Sequence, residues 1–182
     1  RHIRQERSFR QDDFPRLPFA VVQPIRDPSG HHRFPSGDQG EIVAMVQILA
    51  DVEFGAELPE IVPDTSLRAA RQFAQAIGYS GGGRFEDHEK ARAEGLPGAL
   101  VPGVMGMGFL VRMIHAWAPR GKIEHIDTVF RAPVLADHRH VVHAVVTEID
   151  EEQGQVMLDL SIRNEKDETR VFGTATVAIP GE

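Results

Sequence analysis

The sequence predicts an α+β domain in which an antiparallel β-sheet wraps one exceptionally apolar helix. Two observations support this fold class. Residues 99–117 form the longest apolar run of the 182-residue chain, and the segments after it are rich in Val, Ile, Phe and Thr. A helix that is apolar on nearly every face is normally enclosed by other structure. A sheet folded around that helix is the simplest way to enclose it.

The composition excludes several classes of protein. Hydrophobic residues make up 41% and charged residues 26% of the chain, as in ordinary globular domains. The net charge of -7 argues against a dedicated nucleic-acid binder. Because the chain has no cysteine, it has no disulfide framework, thiolate metal site or cysteine nucleophile. With no secretory h-region and no apolar run of membrane length, we expect a cytoplasmic protein that does not enter membranes.

The first 40 residues differ in composition from the rest. They are rich in Arg, Asp, Pro, Gly and His, and only residues 18–22 form an apolar run. Such a segment cannot build a hydrophobic core of its own. We therefore predict an irregular N-terminal extension at residues 1–40 and a single domain at residues 41–182.

The domain begins with short elements. Residues 41–54 are compatible with a strand or a short helix, because their periodicity does not decide between the two. Residues 56–66 contain two prolines and are predicted to be extended. Apolar residues at spacings of three and four predict an amphipathic helix over residues 67–77. Its N-cap is expected among Asp64, Thr65 and Ser66.

A glycine-rich breaker at residues 78–83 separates this helix from a second one. Residues 85–94 are highly charged and predict a short helix that is ended by Gly95 and Pro97. The breaker is not a phosphate-binding P-loop, because no Gly-Lys-Ser/Thr sequence follows it.

Proline marks both ends of the apolar helix. Pro102 suits its first turn, and Pro119 with Gly121 provides a stop. Glycine costs about 1 kcal/mol relative to alanine inside a helix. Three glycines near the start therefore predict close approach of the backbone to a sheet or a ligand, at Gly103, Gly106 and Gly108.

Strands are predicted at residues 123–132, 141–149, 156–162 and 170–179. Short polar turns separate the last three, which makes successive antiparallel pairing the expected arrangement. In the third strand, apolar residues alternate with polar or flexible ones, as a sheet with one buried face requires.

Four segments in this order resemble the MaoC-like hydratase/dehydratase branch of the hot-dog superfamily. The resemblance covers residues 55–180. The segments are AELPE at 56–60, DHEKARAEGLPGALVPGVMGMG at 87–108, FRAPVLAD at 130–137 and GTATV at 173–177. The resemblance implies a hot-dog fold, in which a long central helix is wrapped by an antiparallel β-sheet.

The resemblance also implies a site. In that family the loop motif Asp-x-Asn-Pro-x-His supplies an acid/base pair, and a backbone N–H at the start of the central helix binds the thioester carbonyl. Adding water across a conjugated thioester needs a base for the water and an acid at the α-carbon. Donors aimed at the carbonyl stabilise the developing enolate. By resemblance, Gly103 is the substrate-binding residue at the helix start.

This chain has other residues at the positions of the family's acid/base pair. Alignment without gaps puts Ser80 at the aspartate and Phe85 at the histidine, so these two residues are expected to line the substrate site. Phenylalanine cannot transfer a proton, and an unassisted serine is a poor base. Asp87 and His88 are close in sequence, and the glycines at 81–83 could let the loop bring them into the cleft. They are the candidate catalytic residues.

Three functions remain open from the sequence. The first is an acyl-thioester hydratase or dehydratase with a displaced acid/base pair. The second is a hot-dog subunit without catalytic activity that binds acyl-CoA or supports an active partner. The third, a hot-dog thioesterase, is less favoured because those enzymes usually use an acidic residue on or near the central helix. Residues 101–118 contain no such residue.

The resemblance further implies an acyl-CoA or acyl-carrier-protein thioester as the ligand and a homodimer, or a higher homo-oligomer, joined at sheet edges. No cofactor and no metal are expected. A strand places the first two of three nearby histidines on one face and the third on the other. We therefore interpret His138, His140 and His143 as exposed residues at strand edges.

Overall fold

A computed structural model describes residues 25–26, 32–33, 45–79 and 83–181. The chain divides into two units, Arg1–Glu41 and Ile42–Glu182. In the first unit, β1 (Ile25–Arg26) and β2 (His32–Arg33) pair in antiparallel fashion. The rest of the predicted N-terminal extension lies outside the described residues, and its irregular character and its boundary at residue 40 stay predictions.

The second unit begins with a short helical turn. Within residues 45–54 the structure forms a 3-10 helix at Leu49–Asp51, so the short helix is the alternative that forms here. The backbone N–H of Val46 donates to the carbonyl of Trp117 at 2.9 Å, and Val46 and Val52 are buried in the core. Packing against the rest of the domain, rather than local periodicity, holds this segment.

Both predicted short helices form. α1 (Leu67–Ala76) begins after Ser66, whose hydroxyl accepts the backbone N–H of Ala69, and it buries Ala70 and Ala74. α2 (His88–Ala93) begins after Asp87. Side-chain caps of this kind satisfy backbone donors that have no partner inside the helix.

The apolar helix α3 (Gly103–Trp117) is the centre of the core, with Leu110, Met113 and Ile114 almost fully buried. The close approach predicted for its glycines holds only near the helix start. A methyl group at Gly103 would lie 3.2 Å from the ring of Phe130, and one at Gly106 would lie 3.6 Å from Ile162. At Gly108 a methyl group would meet no atom of the described residues within 4 Å, because this position faces away from the sheet.

Four antiparallel strands form the sheet in the order β3-β6-β5-β4. Isolated bridges join Glu57 to Val145 and Ile61 to Val142, so the segment before α1 lies along the β4 edge. The other edge is β3. In the strand at residues 155–164, every second residue from Val156 to Ile162 is apolar and buried, as the alternation in residues 156–162 predicted. The strands are β3 (Lys122–Phe130), β4 (His140–Asp150), β5 (Gln155–Asn164) and β6 (Thr169–Ala178).

The predicted α+β class is therefore confirmed. Contacts between α3 and β3, β4 and β5 form the interior, and the hydrophobic core is continuous from α3 to the sheet. Among the described helices, none has the length and apolarity that crossing a membrane would require.

Candidate functional site

The N-terminus of α3 opens at the surface. Its N-cap is Pro102, which has no polar side-chain group to offer to the first N–H groups of the helix. Those groups have no acceptor within the helix and carry the positive end of its dipole. Beside them, Val104 is 53% and Phe130 50% exposed, and the Phe130 ring lies against Gly103. The result is a set of uncapped N–H donors at the surface beside two exposed apolar side chains.

The loop before α2 lies next to the segment that leads into α3. The carbonyl of Arg84 accepts the backbone N–H of Leu100 at 2.7 Å. Phe85 stacks on Tyr79 with ring centroids 5.8 Å apart. Ser80, the other residue predicted to line the site, lies outside the described residues. The position that aligns with the family's histidine thus holds a partly buried ring within an aromatic pair.

Both ring nitrogens of His88 are engaged. Nδ1 accepts the backbone N–H of Ala99 at 3.1 Å, and Nε2 lies 2.9 Å from Oδ2 of Asp137. Since Nδ1 acts as an acceptor, the neutral ring carries its proton on Nε2 and donates it to the carboxylate. Neither nitrogen is left to take a proton from a water molecule in this arrangement.

Asp137 joins three segments. Besides accepting from His88, its carboxylate accepts the backbone N–H of Leu67 at 2.9 Å, and its own N–H donates to the carbonyl of Thr65 at 2.9 Å. The hydrogen bond from His88 is the main cause that lowers the pKa of Asp137, and the bond from Leu67 adds to it. The residue has a φ of 61°, a left-handed conformation that aspartate tolerates in turns. Sequence reasoning did not select it, although it ends the FRAPVLAD segment.

Asp87 caps α2. Its Oδ1 accepts the backbone N–H groups of Glu89 at 2.8 Å and Lys90 at 3.0 Å. The bond from Lys90 is the main cause that lowers the pKa of Asp87, and the bond from Glu89 contributes as well. A carboxylate held in its charged form by such bonds is a weaker base. The catalytic role expected of Asp87 and His88 therefore stays a prediction, beside the structural contacts that both residues make.

The interpretation of three exposed histidines is wrong for His140, which is 1% exposed. Its Nδ1 donates to the carbonyl of His138 at 3.0 Å, and burial lowers its pKa although this hydrogen bond raises it. His138 lies 3.1 Å from Glu165, and His143 lies 2.9 Å from Glu60. In the part of the chain that the structure describes, no group of three or more metal-ligating residues gathers.

No protein-family model matches the chain, and no curated protein matches its sequence. Solved structures do match it. The unliganded (R)-hydratase PhaJ1 from Pseudomonas aeruginosa is 19% identical, with a TM-score of 0.68 over 75% of this chain and 87% of that chain. The ChsH1–ChsH2 complex from Mycobacterium tuberculosis is 22% identical, with a TM-score of 0.62 over 70% of this chain and 98% of that chain.

A MaoC-like dehydratase from Rhodospirillum rubrum is 15% identical, with a TM-score of 0.60 over 72% of this chain and 95% of that chain. At such identities the likeness establishes the fold and not the chemistry. This chain therefore has the hot-dog fold that it shares with an (R)-hydratase and a MaoC-like dehydratase.

Proposed function

We propose that this protein is a MaoC-like member of the hydratase/dehydratase class that binds acyl thioesters at the start of α3. The observation that carries the proposal is the open N-terminus of α3, where the first N–H groups have no side-chain cap. Such donors, aided by the helix dipole, stabilise a carbonyl oxygen on which negative charge develops.

Apolar side chains beside these donors support an acyl ligand. Val104 and Phe130 are both at least half exposed, and Phe130 reaches Gly103. An acyl chain would bury this surface, and each buried methylene contributes about 0.8 kcal/mol. Both a CoA thioester and an acyl-carrier-protein thioester present this chemistry, and the proposal covers either carrier.

The contacts of the candidate acid/base residues favour binding without turnover by this chain alone. Asp87 caps α2, and His88 uses both ring nitrogens to hold neighbouring segments. A subunit that binds acyl thioesters and relies on a partner for the acid/base pair is thus favoured. Active hydration would require the loop to release His88. The thioesterase alternative is weaker, since α3 carries no carboxylate.

The free edge of the sheet supports a homodimer. β3 has nine residues, and within the part of the chain that the structure describes it pairs only with β6, along one side. Long unpaired edge strands readily pair with another chain. We expect two copies to join at β3, which would set the openings of their α3 helices near one shared interface.

Removing one N–H group tests the carbonyl-binding role. In Gly103→Pro the N–H is lost, and proline suits the first helical position after an extended Pro102 with φ -55° and ψ 135°. Gly103→Ala is the matched control, because both variants add a Cβ against Phe130 and only the first loses the donor. Calorimetric titration with crotonyl-CoA and longer enoyl-CoAs should show about tenfold weaker binding for Gly103→Pro than for Gly103→Ala. Equal affinities would contradict the proposal.

A hydration assay decides between the subunit and the enzyme. Crotonyl-CoA should bind without being hydrated by the isolated protein. Hydration by the wild type that disappears in a folded His88→Ala variant would instead assign His88 to the chemistry. Hydration that persists in His88→Ala would place the acid/base groups elsewhere, and absence of both binding and hydration would overturn the proposal.

A further inference from the structure

The face of the sheet that is turned away from α3 carries a row of four residues, of which the two neighbours Val129 and Phe172 are apolar and exposed. The strand registers place Val129 opposite Phe172, Phe172 opposite Ser161, and Ser161 opposite His143. Val129 is 48% and Phe172 43% exposed, and all four residues line one open groove across the strands. Adjacent exposed apolar side chains on a sheet face mark an interaction surface more often than isolated ones do.

Opposite charges flank this row. Arg131, which directly follows β3, and Arg163 on β5 lie two residues beyond the row towards one end of the strands. Asp127 on β3 and Asp159 on β5 lie two residues beyond it towards the other end. Arg163 pairs with a nearby aspartate at 3.2 Å, whereas Arg131, Asp127 and Asp159 form no ion pair with the described residues. The face therefore has a basic end, a middle with two exposed apolar residues and an acidic end.

The geometry points to this face as a self-complementary interface for a second copy of the chain. A two-fold axis parallel to this row sets Phe172 on Phe172 of the second copy. It also sets Arg131 opposite Asp127, and Arg163 opposite Asp159, in both directions. An axis parallel to the strands would set basic end on basic end and acidic end on acidic end. The charge pattern thus selects one of the two symmetric arrangements.

The size of the face sets the strength of association. Four strands about 4.8 Å apart, and about 20 Å of strand length, give a footprint of about 400 Å². Stable interfaces bury about 800 Å² per partner. We therefore expect weak association that appears at high protein concentration and weakens with salt. It is separate from the thioester site at α3 and from pairing at the β3 edge.

Exchanging one pair of charges tests the inference. Sedimentation velocity of the full chain is measured over a range of concentrations for the wild type, Asp127→Arg, Arg131→Glu and the double variant. Each single variant places like charges together twice in the symmetric pair, so its dissociation constant for this step should rise about tenfold or more. The double variant restores complementarity and should associate like the wild type. Glu152→Arg and Arg92→Glu make the same charge changes at exposed positions away from this face and serve as controls.

Phe172→Glu provides an independent measurement and should abolish the step. The inference is overturned if the wild type shows no association step beyond edge pairing, if the single variants match their controls, or if the double variant fails to recover. Acyl-CoA titration of the same variants reports on the thioester site separately. A failure of the proposed function and a failure of this inference are therefore distinguishable.

Discussion

The ring of His88 holds two segments through two different nitrogens, and each contact can be removed separately. His88→Asn keeps an oxygen near the position of Nδ1, where it can accept the N–H of Ala99, and loses the bond to Asp137. His88→Gln has the length to reach Asp137 and loses the acceptor for Ala99. His88→Ala removes both contacts.

The two contacts contribute differently to the free energy of unfolding because one is buried and the other is partly exposed to water. Ala99 is fully buried, so its N–H would be left without an acceptor, at a cost of about 1–3 kcal/mol. The side chains of His88 and Asp137 are 27% and 50% exposed, and water can replace much of their bond, which contributes about 0.5–1 kcal/mol. We expect His88→Ala to lose about 2–3 kcal/mol, His88→Gln nearly as much, and His88→Asn less than about 1 kcal/mol.

Urea unfolding followed by circular dichroism measures these differences, with an unchanged m-value as the sign that only stability has changed. An NMR titration follows the carboxylate. The pKa of Asp137 should rise towards its ordinary value in His88→Ala and His88→Asn, and stay lowered in His88→Gln. A carboxylate whose pKa is lowered by folding stabilises the folded state at pH values above its ordinary pKa. This stabilisation is lost as the pH falls through the pKa of the folded state. The difference between wild type and His88→Ala should therefore shrink in acid.

Two results would refute this reasoning. If His88→Asn were as unstable as His88→Ala, the bond to Ala99 would not be the larger contact. If all three variants unfolded at the wild-type midpoint, the ring would hold neither segment. Unchanged stability together with lost hydration activity would move His88 from a structural role to a catalytic one.

Two further positions test the sheet: Gly173, where β6 packs against β3, and His140 at the start of β4. In Gly173→Ala the added methyl group would clash with the Asp127 carbonyl of β3, so this variant should lose about 3 kcal/mol or more in urea unfolding. Gly108→Ala, which meets open space in α3, should gain about 0.5–1 kcal/mol as the matched control. Equal effects would contradict the close approach of β3 to β6. Burial lowers the pKa of His140 from 6.5, so as the pH falls the unfolded chain binds a proton at this residue before the folded chain does. Stability should thus fall as the pH drops below about 6.5, and more in the wild type than in His140→Gln. Equal losses would place the acid sensitivity elsewhere.

Local patterns were sufficient to predict the main elements. The spacing of apolar residues in 67–77 predicted α1, and Ser66, one of the three expected caps, is the residue that begins it. The alternation from Val156 to Ile162 predicted β5 and its buried face. The strand expected at 123–132 ends earlier, at Phe130, because the backbone then turns and the N–H groups of Arg131 and Ala132 both donate to Arg170.

Local patterns did not predict the contacts between segments that are distant in the sequence. His88 and Asp137 are 49 residues apart, and their pairing depends on a left-handed turn that no local periodicity reveals. His140 was expected to be an exposed residue at a strand edge because the three nearby histidines do not share one face of a strand, yet its place at the start of β4 buries it. Burial of a single polar residue is decided by packing across the sheet, which a strand pattern does not describe.

The contacts of Asp87 and His88 explain why the proposed function separates thioester binding from catalysis. A carboxylate and an imidazole close in sequence suggest an acid/base pair, but both groups also satisfy backbone donors that would otherwise lack partners. Asp87 does this for α2, and His88 does it for the buried N–H of Ala99. Freeing either group for proton transfer would leave those donors unpaired, at a cost that substrate binding would have to offset. The N–H groups at the start of α3, by contrast, make no hydrogen bond to a capping side chain. Under the proposed function, the start of α3 would bind the thioester while the neighbouring polar side chains serve stability.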